Sequence, residues 1–248
     1  MLDVTSLSLT LGGRPILRDV TFSLTPGRIT ALLGKNGSGK TTLLRALAHE
    51  IPYEGEIRLG GIPTATLPPR ERARILAYLP QLLPATPLTV RELVTLGRSP
   101  YLPPLARLSE DDRRAVLSAM QKTGVDSLSD RSLLSLSGGE RQRAFLAMLV
   151  AQSTPLLLLD EPTSHLDAPA RHRFLSLLGT LAHDEGKTVL IVLHDINDAL
   201  HLADDIALME NGRLTFHGTK EDFLAAGFPA RHFGLTAVTA DASHPFFY

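Results

Sequence analysis

The chain contains no cysteine. Disulfide staples and zinc–thiolate sites are therefore excluded, and the composition suits a reducing compartment. Neither sign of charge is in excess: 25 Lys and Arg against 26 Asp and Glu leave a formal net charge of −1. That balance argues against a nucleic-acid partner, and no polybasic arm points to anionic lipid. Long apolar runs are missing too. The longest are LLLL at 156–159 and VLIVL at 189–193, whereas a membrane-spanning helix needs about 20 such residues. The opening MLDVTSLSLT lacks a basic segment followed by an apolar one, so it does not read as a secretory signal. These absences predict a soluble protein, any membrane role of which would have to come through a partner.

What is present is 248 residues with 44% hydrophobic content, enough for one large domain or two small lobes. Alternating SLSLTL suggests an edge strand followed by a turn at Gly12-Gly13. ITALLG at 29–34 is a continuous apolar run ending in glycine, the pattern of a buried strand. A helix is expected from Lys40 to about Glu50, a short strand at 56–61, and a helix end running into a strand at 73–80. From about 82 to 150 strand signals vanish. Ser109 with Asp112 reads as a capping box, and Gly124 as that helix's stop. Strands return at 156–160, 188–194 and 205–210. Thr219 with Asp222 reads as a second capping box, opening a helix that ends near Gly227. Strands alternating with helices predict an α/β core around a parallel sheet, with an all-helical insertion.

GKNGSGKT at 34–41 matches G-x-x-x-x-G-K-[ST], directly after a predicted strand and at the start of a helix. Gly34, Gly37 and Gly39 let the backbone curl so that successive N–H groups face a phosphate. The helix N-terminus adds a favourable dipole. Lys40 should reach the β- and γ-phosphates, and the Thr41 hydroxyl should ligate Mg²⁺.

LLLLDEPTSHLD at 156–167 places Asp160 at the C-terminal end of a buried strand, the edge where open α/β sheets bind ligands. Asp160 is a candidate Mg²⁺ holder. Glu161, pointed away from it by strand alternation, is a candidate general base or water orienter. The alternative is a solvated acidic pair at a strand end. His194 closes the strand after that and would emerge on the same edge. Gln81 also ends a predicted strand, and its amide could reach Mg²⁺ or a water. Ser137-Gly138-Gly139, within SLSGGERQR, looks like a second phosphate-binding helix start.

The order GKNGSGKT, Gln81, LSGGE, LLLLDEP, SHLD, His194 resembles the nucleotide-binding subunit of an ATP-binding cassette (ABC) transporter, over nearly the whole chain. The resemblance implies a RecA-like P-loop NTPase core with amino-terminal antiparallel strands and an inserted α-helical subdomain. It implies a core at 1–82 and 152–222, a helical signature subdomain at 83–151 and a tail at 223–248. It implies that Gly34, Lys35, Asn36, Gly37, Ser38, Gly39, Lys40, Thr41 and Thr42 bind ATP, with Mg²⁺ held by Thr41, Gln81 and Asp160. Glu161 resembles the catalytic carboxylate and His194 the switch histidine. Asp167 resembles the aspartate that couples the two sites of a dimer. Ser137, Gly138 and Gly139 resemble the signature that binds the γ-phosphate held by the opposite copy. An aromatic usually stacks on adenine after the first strand; the matching position here is Leu11.

TVRELVTLGRSPYLPPLARLSEDDRRAV at 89–116 resembles the ATPases of importers for iron–siderophore, haem and cobalamin. With HPFFY at the C-terminal end, the likeness is closest to the ferric hydroxamate (ferrichrome-type) branch, with ferric dicitrate its nearest competitor. The implied partners are a second copy, a membrane permease and, through it, a periplasmic or lipoprotein substrate-binding protein. The implied location is peripheral, on the cytoplasmic face of the cell membrane. Tyr101, Leu102 and Leu105 read equally as a local hydrophobic cluster or as a groove wall for a permease helix. Phe246, Phe247 and Tyr248 read as packed on the domain or as an exposed contact. A soluble cassette ATPase of translation or DNA repair would need a second cassette or a long coiled coil, and a small-molecule kinase would leave LSGGE unexplained.

Overall fold

The computed structural model describes residues 2–103, 106–164 and 166–234, and the backbone of 237–239 and 245–247. Leu105, and the side chains of Phe246, Phe247 and Tyr248, lie outside the described residues. Strands β1 (Leu2–Leu11) and β2 (Arg14–Leu24) form a hairpin across Gly12-Gly13. Then come β3 (Ile29–Leu33), α1 (Lys40–Leu47), β4 (Glu54–Leu59), the two-residue β5 (Ile62–Pro63), the single-turn α2 (Pro69–Arg72) and β6 (Leu76–Leu79). Three helices follow: α3 (Val90–Leu96), α4 (Glu110–Thr123) and α5 (Gly138–Gln152). The chain continues through β7 (Leu156–Asp160), α6 (Ala168–His183), β8 (Thr188–Val192), α7 (Ile196–Leu202), β9 (Asp205–Glu210) and β10 (Arg213–Thr219). It closes with α8 (Lys220–Ala225), α9 (Phe228–Phe233), β11 (Ala237–Thr239) and β12 (Pro245–Phe247).

The six-stranded sheet has the order β10-β9-β3-β8-β7-β6. Its pairs are parallel from β9 through β6, and β10 returns antiparallel to β9. Every residue of β3, β7 and β8 is buried, because both faces of the sheet are covered. Alternate residues feed two cores. Leu157 and Leu159 pack with α3, α4, α5 and α6, while Leu156 and Leu158 pack with α1 and the four-stranded antiparallel sheet β2-β1-β4-β5. Period-2 geometry alone divides the leucine run this way.

Four expectations need correction. SLSLTL is not an edge strand: β1 lies between β2 and β4, and its alternation reflects one covered face rather than a free edge. The first helix ends at Leu47, not near Glu50, because His49 adopts φ 59° and breaks the helical path. The strand expected to reach His194 stops at Val192. The Ser109/Asp112 capping box forms, but at Thr219 only half of the second one does. Its hydroxyl accepts the Asp222 N–H at 3.1 Å and donates back to that carboxylate, while Thr219 itself is still the last residue of β10.

The GRSPY element resolves as a knot. The Tyr101 ring has two guanidinium groups over it, that of Arg98 4.2 Å from the centroid and that of Arg74 at 5.3 Å. Its hydroxyl donates to Gln152 O at 3.0 Å, and Arg70 and Arg74 both donate to Pro100 O. Tyr101 thus ties α2 to the end of α5, and this local cluster accounts for its position.

Candidate functional site

Three neighbouring parallel strands end on one edge. Gln81 follows β6 by two residues, Glu161 follows β7 by one, and His194 follows β8 by two. Because β6, β7 and β8 are adjacent, the three side chains meet. Gln81 Nε2 donates to Glu161 Oε2 at 2.5 Å, and His194 Nε2 lies 2.6 Å from Glu161 Oε1. Glu161 sits at φ 50°, so the chain turns out of β7 there. This left-handed residue, rather than continued strand alternation, aims its carboxylate between its two partners.

The loop after β3, the strand beside β8, supplies the fourth wall. Its glycines are obligatory at two points. Gly34 adopts φ 146°, and a Cβ there would lie 2.3 Å from Met209 O; Gly39 adopts φ 106° against Leu17 and Ile16. Lys40 is only 5% exposed, and its ammonium donates to Gly34 O at 2.7 Å and Lys35 O at 3.2 Å. Burial lowers the Lys40 pKa, opposed by the nearby Glu161 and Asp160 carboxylates. Ser38 keeps a buried hydroxyl with no partner.

Asp160 is fully buried. Thr41 Oγ1 donates to its Oδ1 at 3.2 Å and Tyr78 neighbours the carboxyl, whose Oδ2 lacks a partner at full hydrogen-bond geometry. Burial holds the carboxyl above the usual carboxylate range. An orphaned buried oxygen beside a hydroxyl is costly unless something else completes it. With Gln81 Nε2 committed to Glu161, the Gln81 carbonyl oxygen remains an acceptor. A hydroxyl, a carboxylate and an amide oxygen form a hard-oxygen donor set suited to Mg²⁺, which keeps several of its own waters. Among the described residues no cluster of three His, Asp or Glu side chains could hold a metal alone.

A cleft of about 450 Å³ is lined by Asn36, Gly37, Gly39, Lys40, Thr41, Thr42, Gln81, Glu161 and His194; Gly34, Lys35, Ser38 and Asp160, expected at the site, are not part of its lining. The expected Leu11 is absent from this lining; it is 45% exposed and pairs across the hairpin with Arg14. Ile16 of β2 forms the wall instead. Sequence reading missed it because β2 was not recognised, although LRDVTFSL alternates well enough to have shown it.

Ser137, Gly138, Gly139 and Asp167 do not line the cleft. Ser137 caps α5, with its hydroxyl donating to Glu140 Oε2 at 2.8 Å and accepting the Glu140 N–H at 3.3 Å. Ser137 and Gly138 are exposed. A Cβ on Gly139 would lie 3.3 Å from Leu166, so the signature and the loop before α6 are packed together. Asp167 caps α6, accepting the Ala170 N–H at 2.8 Å.

A family model described as "ABC transporter" matches residues 17–164. The chain is 40% identical to the "Probable siderophore transport system ATP-binding protein" YusV of Bacillus subtilis, over 95% of this chain and 87% of that protein. It is 39% identical to the "Hemin import ATP-binding protein" HmuV of Shewanella denitrificans, over 90% and 89%. It is 38% identical to the "Iron(3+)-hydroxamate import ATP-binding protein" FhuC of Bacillus subtilis, over 88% and 82%. Among solved structures, a dimeric ATP-binding cassette in a post-hydrolysis state bound to ADP and Pi matches with a TM-score of 0.79 at 26% identity, covering 88% of this chain and 98% of that one. An ATP-binding subunit of an ABC transporter matches with a TM-score of 0.79 at 27% identity, covering 94% and 93%. With its phosphate loop, its convergent Gln81, Glu161 and His194, and this kinship along nearly its whole length, the chain belongs to the ABC transporter family, among its ATP-binding subunits.

Proposed function

We propose that this chain is the ATPase subunit of an importer of chelated iron, with an iron(III)–siderophore as cargo and a hydroxamate type as the first choice. Ferric dicitrate, haem and cobalamin are the alternatives. The substrate class rests on the siderophore, hemin and hydroxamate importers among the relatives. The ATPase chemistry rests on one observation: Gln81, Glu161 and His194 converge beside Lys40.

In this reading residues 34–42 cradle the phosphates of ATP, and Lys40 exchanges its bonds to Gly34 O and Lys35 O for phosphate oxygens. Thr41, Gln81 and Asp160 would hold Mg²⁺, which supplies charge neutralisation on the phosphates when bound. Glu161 accepts the proton of a water that attacks the γ-phosphorus, and ADP leaves. Both Glu161 oxygens are occupied in this structure, one by His194 and one by Gln81. Each oxygen keeps a second lone pair, so the carboxylate can accept a water's proton while these partners hold its orientation. His194, paired with Glu161 but 46% exposed at its side chain, has room to turn from that carboxylate toward the γ-phosphate.

Ser137, Gly138 and Gly139 complete the site of a second copy. An exposed helix start contributes only about 0.3–1 kcal/mol to anion binding. Enclosed between two copies, its donors count for more. In a two-fold dimer each copy gives and receives the element. The dimeric cassette among the structural relatives supports this arrangement. The insertion at 83–151 would engage a membrane permease at the cytoplasmic face, with a substrate-binding protein acting through it. No helix among the described residues is long and apolar enough to cross a membrane.

Glu161→Gln should allow ATP-driven dimerisation and block turnover; steady-state hydrolysis at the parent rate in that variant would remove Glu161 from its role. Affinity purification from membranes of iron-starved cells, with partners identified by mass, tests the importer. A partner without transmembrane helices would contradict it.

A further inference from the structure

The group that occupies the start of α5 is an anion. Glu140 Oε2 accepts both the Ser137 N–H and the Ser137 hydroxyl, each at 2.8 Å. The hydrogen bonds from Ser137 hold the Glu140 pKa below the usual carboxylate range, so the group is charged at neutral pH. Its other oxygen lies 3.5 Å from Arg131. Arg131 is itself fixed from behind, donating Nη2 to Ser135 O at 2.7 Å. The Glu140 side chain is 25% exposed and that of Arg131 47%. The hydroxyl proton that a phosphate would take is therefore already given to a carboxylate of the same helix.

Resting on the reading that this helix start faces the γ-phosphate of a second copy, we propose that Glu140 is a charge brake on ATP-driven pairing and that Arg131 partly releases it. Docking a phosphate requires the Ser137 hydroxyl to turn from Glu140 toward the incoming anion. Glu140 then keeps the Ser137 N–H and Arg131, but its negative charge stays beside a second one. Like charges a few ångströms apart repel in water, and more strongly where solvent is excluded. Glu140 is a positioning residue in this account: it acts through Ser137 and through the local field, without touching the reacting atoms. Its cost is an ATP requirement for closure higher than a neutral residue would impose. Its consequence is that the cassette dimer reopens readily once the γ-phosphate is lost.

Glutamine separates charge from capping. In Glu140→Gln the amide oxygen still accepts the Ser137 N–H, so α5 stays capped while the charge is gone. The experiment measures dimerisation against ATP concentration by analytical ultracentrifugation, in the hydrolysis-blocked Glu161→Gln background. Adding Glu140→Gln should lower the half-saturating ATP concentration by on the order of tenfold at low salt. The difference should shrink in concentrated salt, and the melting temperature should hold. Arg131→Gln keeps the capping box, strips the paired counter-charge while the more weakly acting Arg143 remains, and should raise the ATP requirement. If Glu161→Gln alone stays monomeric with ATP, the two-copy reading falls and takes the brake with it. If it pairs, but Glu140→Gln pairs at the same or higher ATP concentration, the brake is refuted and the two-copy reading stands. An unmoved Arg131→Gln would refute the counter-charge role by itself.

Discussion

Arg98→Ala should destabilise the protein by about 3–4 kcal/mol, far more than a surface ion pair is worth. The guanidinium Nε donates to Asp112 Oδ1 at 2.8 Å, with the two side chains 12% and 9% exposed. Its Nη1 donates to Ala151 O at 2.8 Å, and its plane covers Tyr101. One side chain thereby joins α4, the end of α5 and the knot against α2. Removing one partner of a buried pair costs about 3–5 kcal/mol, because the other charge is stranded. The lower end applies here, since Asp112 Oδ2 keeps the Ser109 hydroxyl at 2.6 Å. Loss of the cation–π contact adds about 0.5–2 kcal/mol, not fully additively. For a chain of this size the total corresponds to a melting shift of about 6–16 °C.

The assay is urea denaturation of parent, Arg98→Ala, Asp112→Asn and the double variant, a cycle that isolates the pair. The pH dependence has a definite sign. The hydrogen bond from Ser109 and then Arg98 hold the Asp112 carboxyl below its ordinary value. A depressed carboxylate contributes stability above the unfolded pKa, near 4, and loses it as pH falls through the folded one. The gap between parent and Arg98→Ala should therefore narrow below about pH 4. A loss under about 1 kcal/mol at neutral pH, the range of exposed pairs, would refute the reasoning.

Gly34→Ala should abolish nucleotide binding and destabilise the loop, because a Cβ there would overlap Met209 O at 2.3 Å and φ 146° suits glycine alone; fluorescent-nucleotide titration checks the first effect and a thermal melt the second. Asp160→Asn should leave the nucleotide-free protein as stable as the parent or more so, since it removes a fully buried charge with an orphaned oxygen. Its Mg²⁺-dependent turnover should be lost. A clear drop in melting temperature without nucleotide would show that Asp160 serves the fold rather than the site.

The phosphate loop was legible because its glycine spacing is a backbone requirement, borne out at φ 146°, 79° and 106° for Gly34, Gly37 and Gly39. The buried strands at 156–160 and 205–210 were legible to the residue, since continuous apolar runs have sharp ends. Strands β2 and β10 were not recognised: each has one exposed face and interleaved polar residues, so neither shows a continuous apolar run. The meeting of Gln81, Glu161 and His194 could be read as three strand ends on one edge. Their mutual contact could not, because it depends on the order β8-β7-β6 and on the left-handed Glu161. The Glu140–Ser137 box was hidden for a different reason. Ser137 was read for its phosphate-like helix start, while the cap three residues on obeyed the same rule that identified Ser109 and Asp112.

The central claim is that one catalytic site is built from two chains, and a mixing experiment addresses it directly. Lys40→Ala removes the phosphate lysine and Gly138→Asp spoils the signature, so each variant alone should be inactive, the second while still binding ATP as a separate subunit. In a mixed dimer, one site combines the intact phosphate loop of the Gly138→Asp chain with the intact signature of the Lys40→Ala chain. With random pairing, half the dimers are mixed and each has one of two sites whole, so turnover should recover to roughly a quarter of the parent's. A mixture no more active than either variant alone would contradict the account.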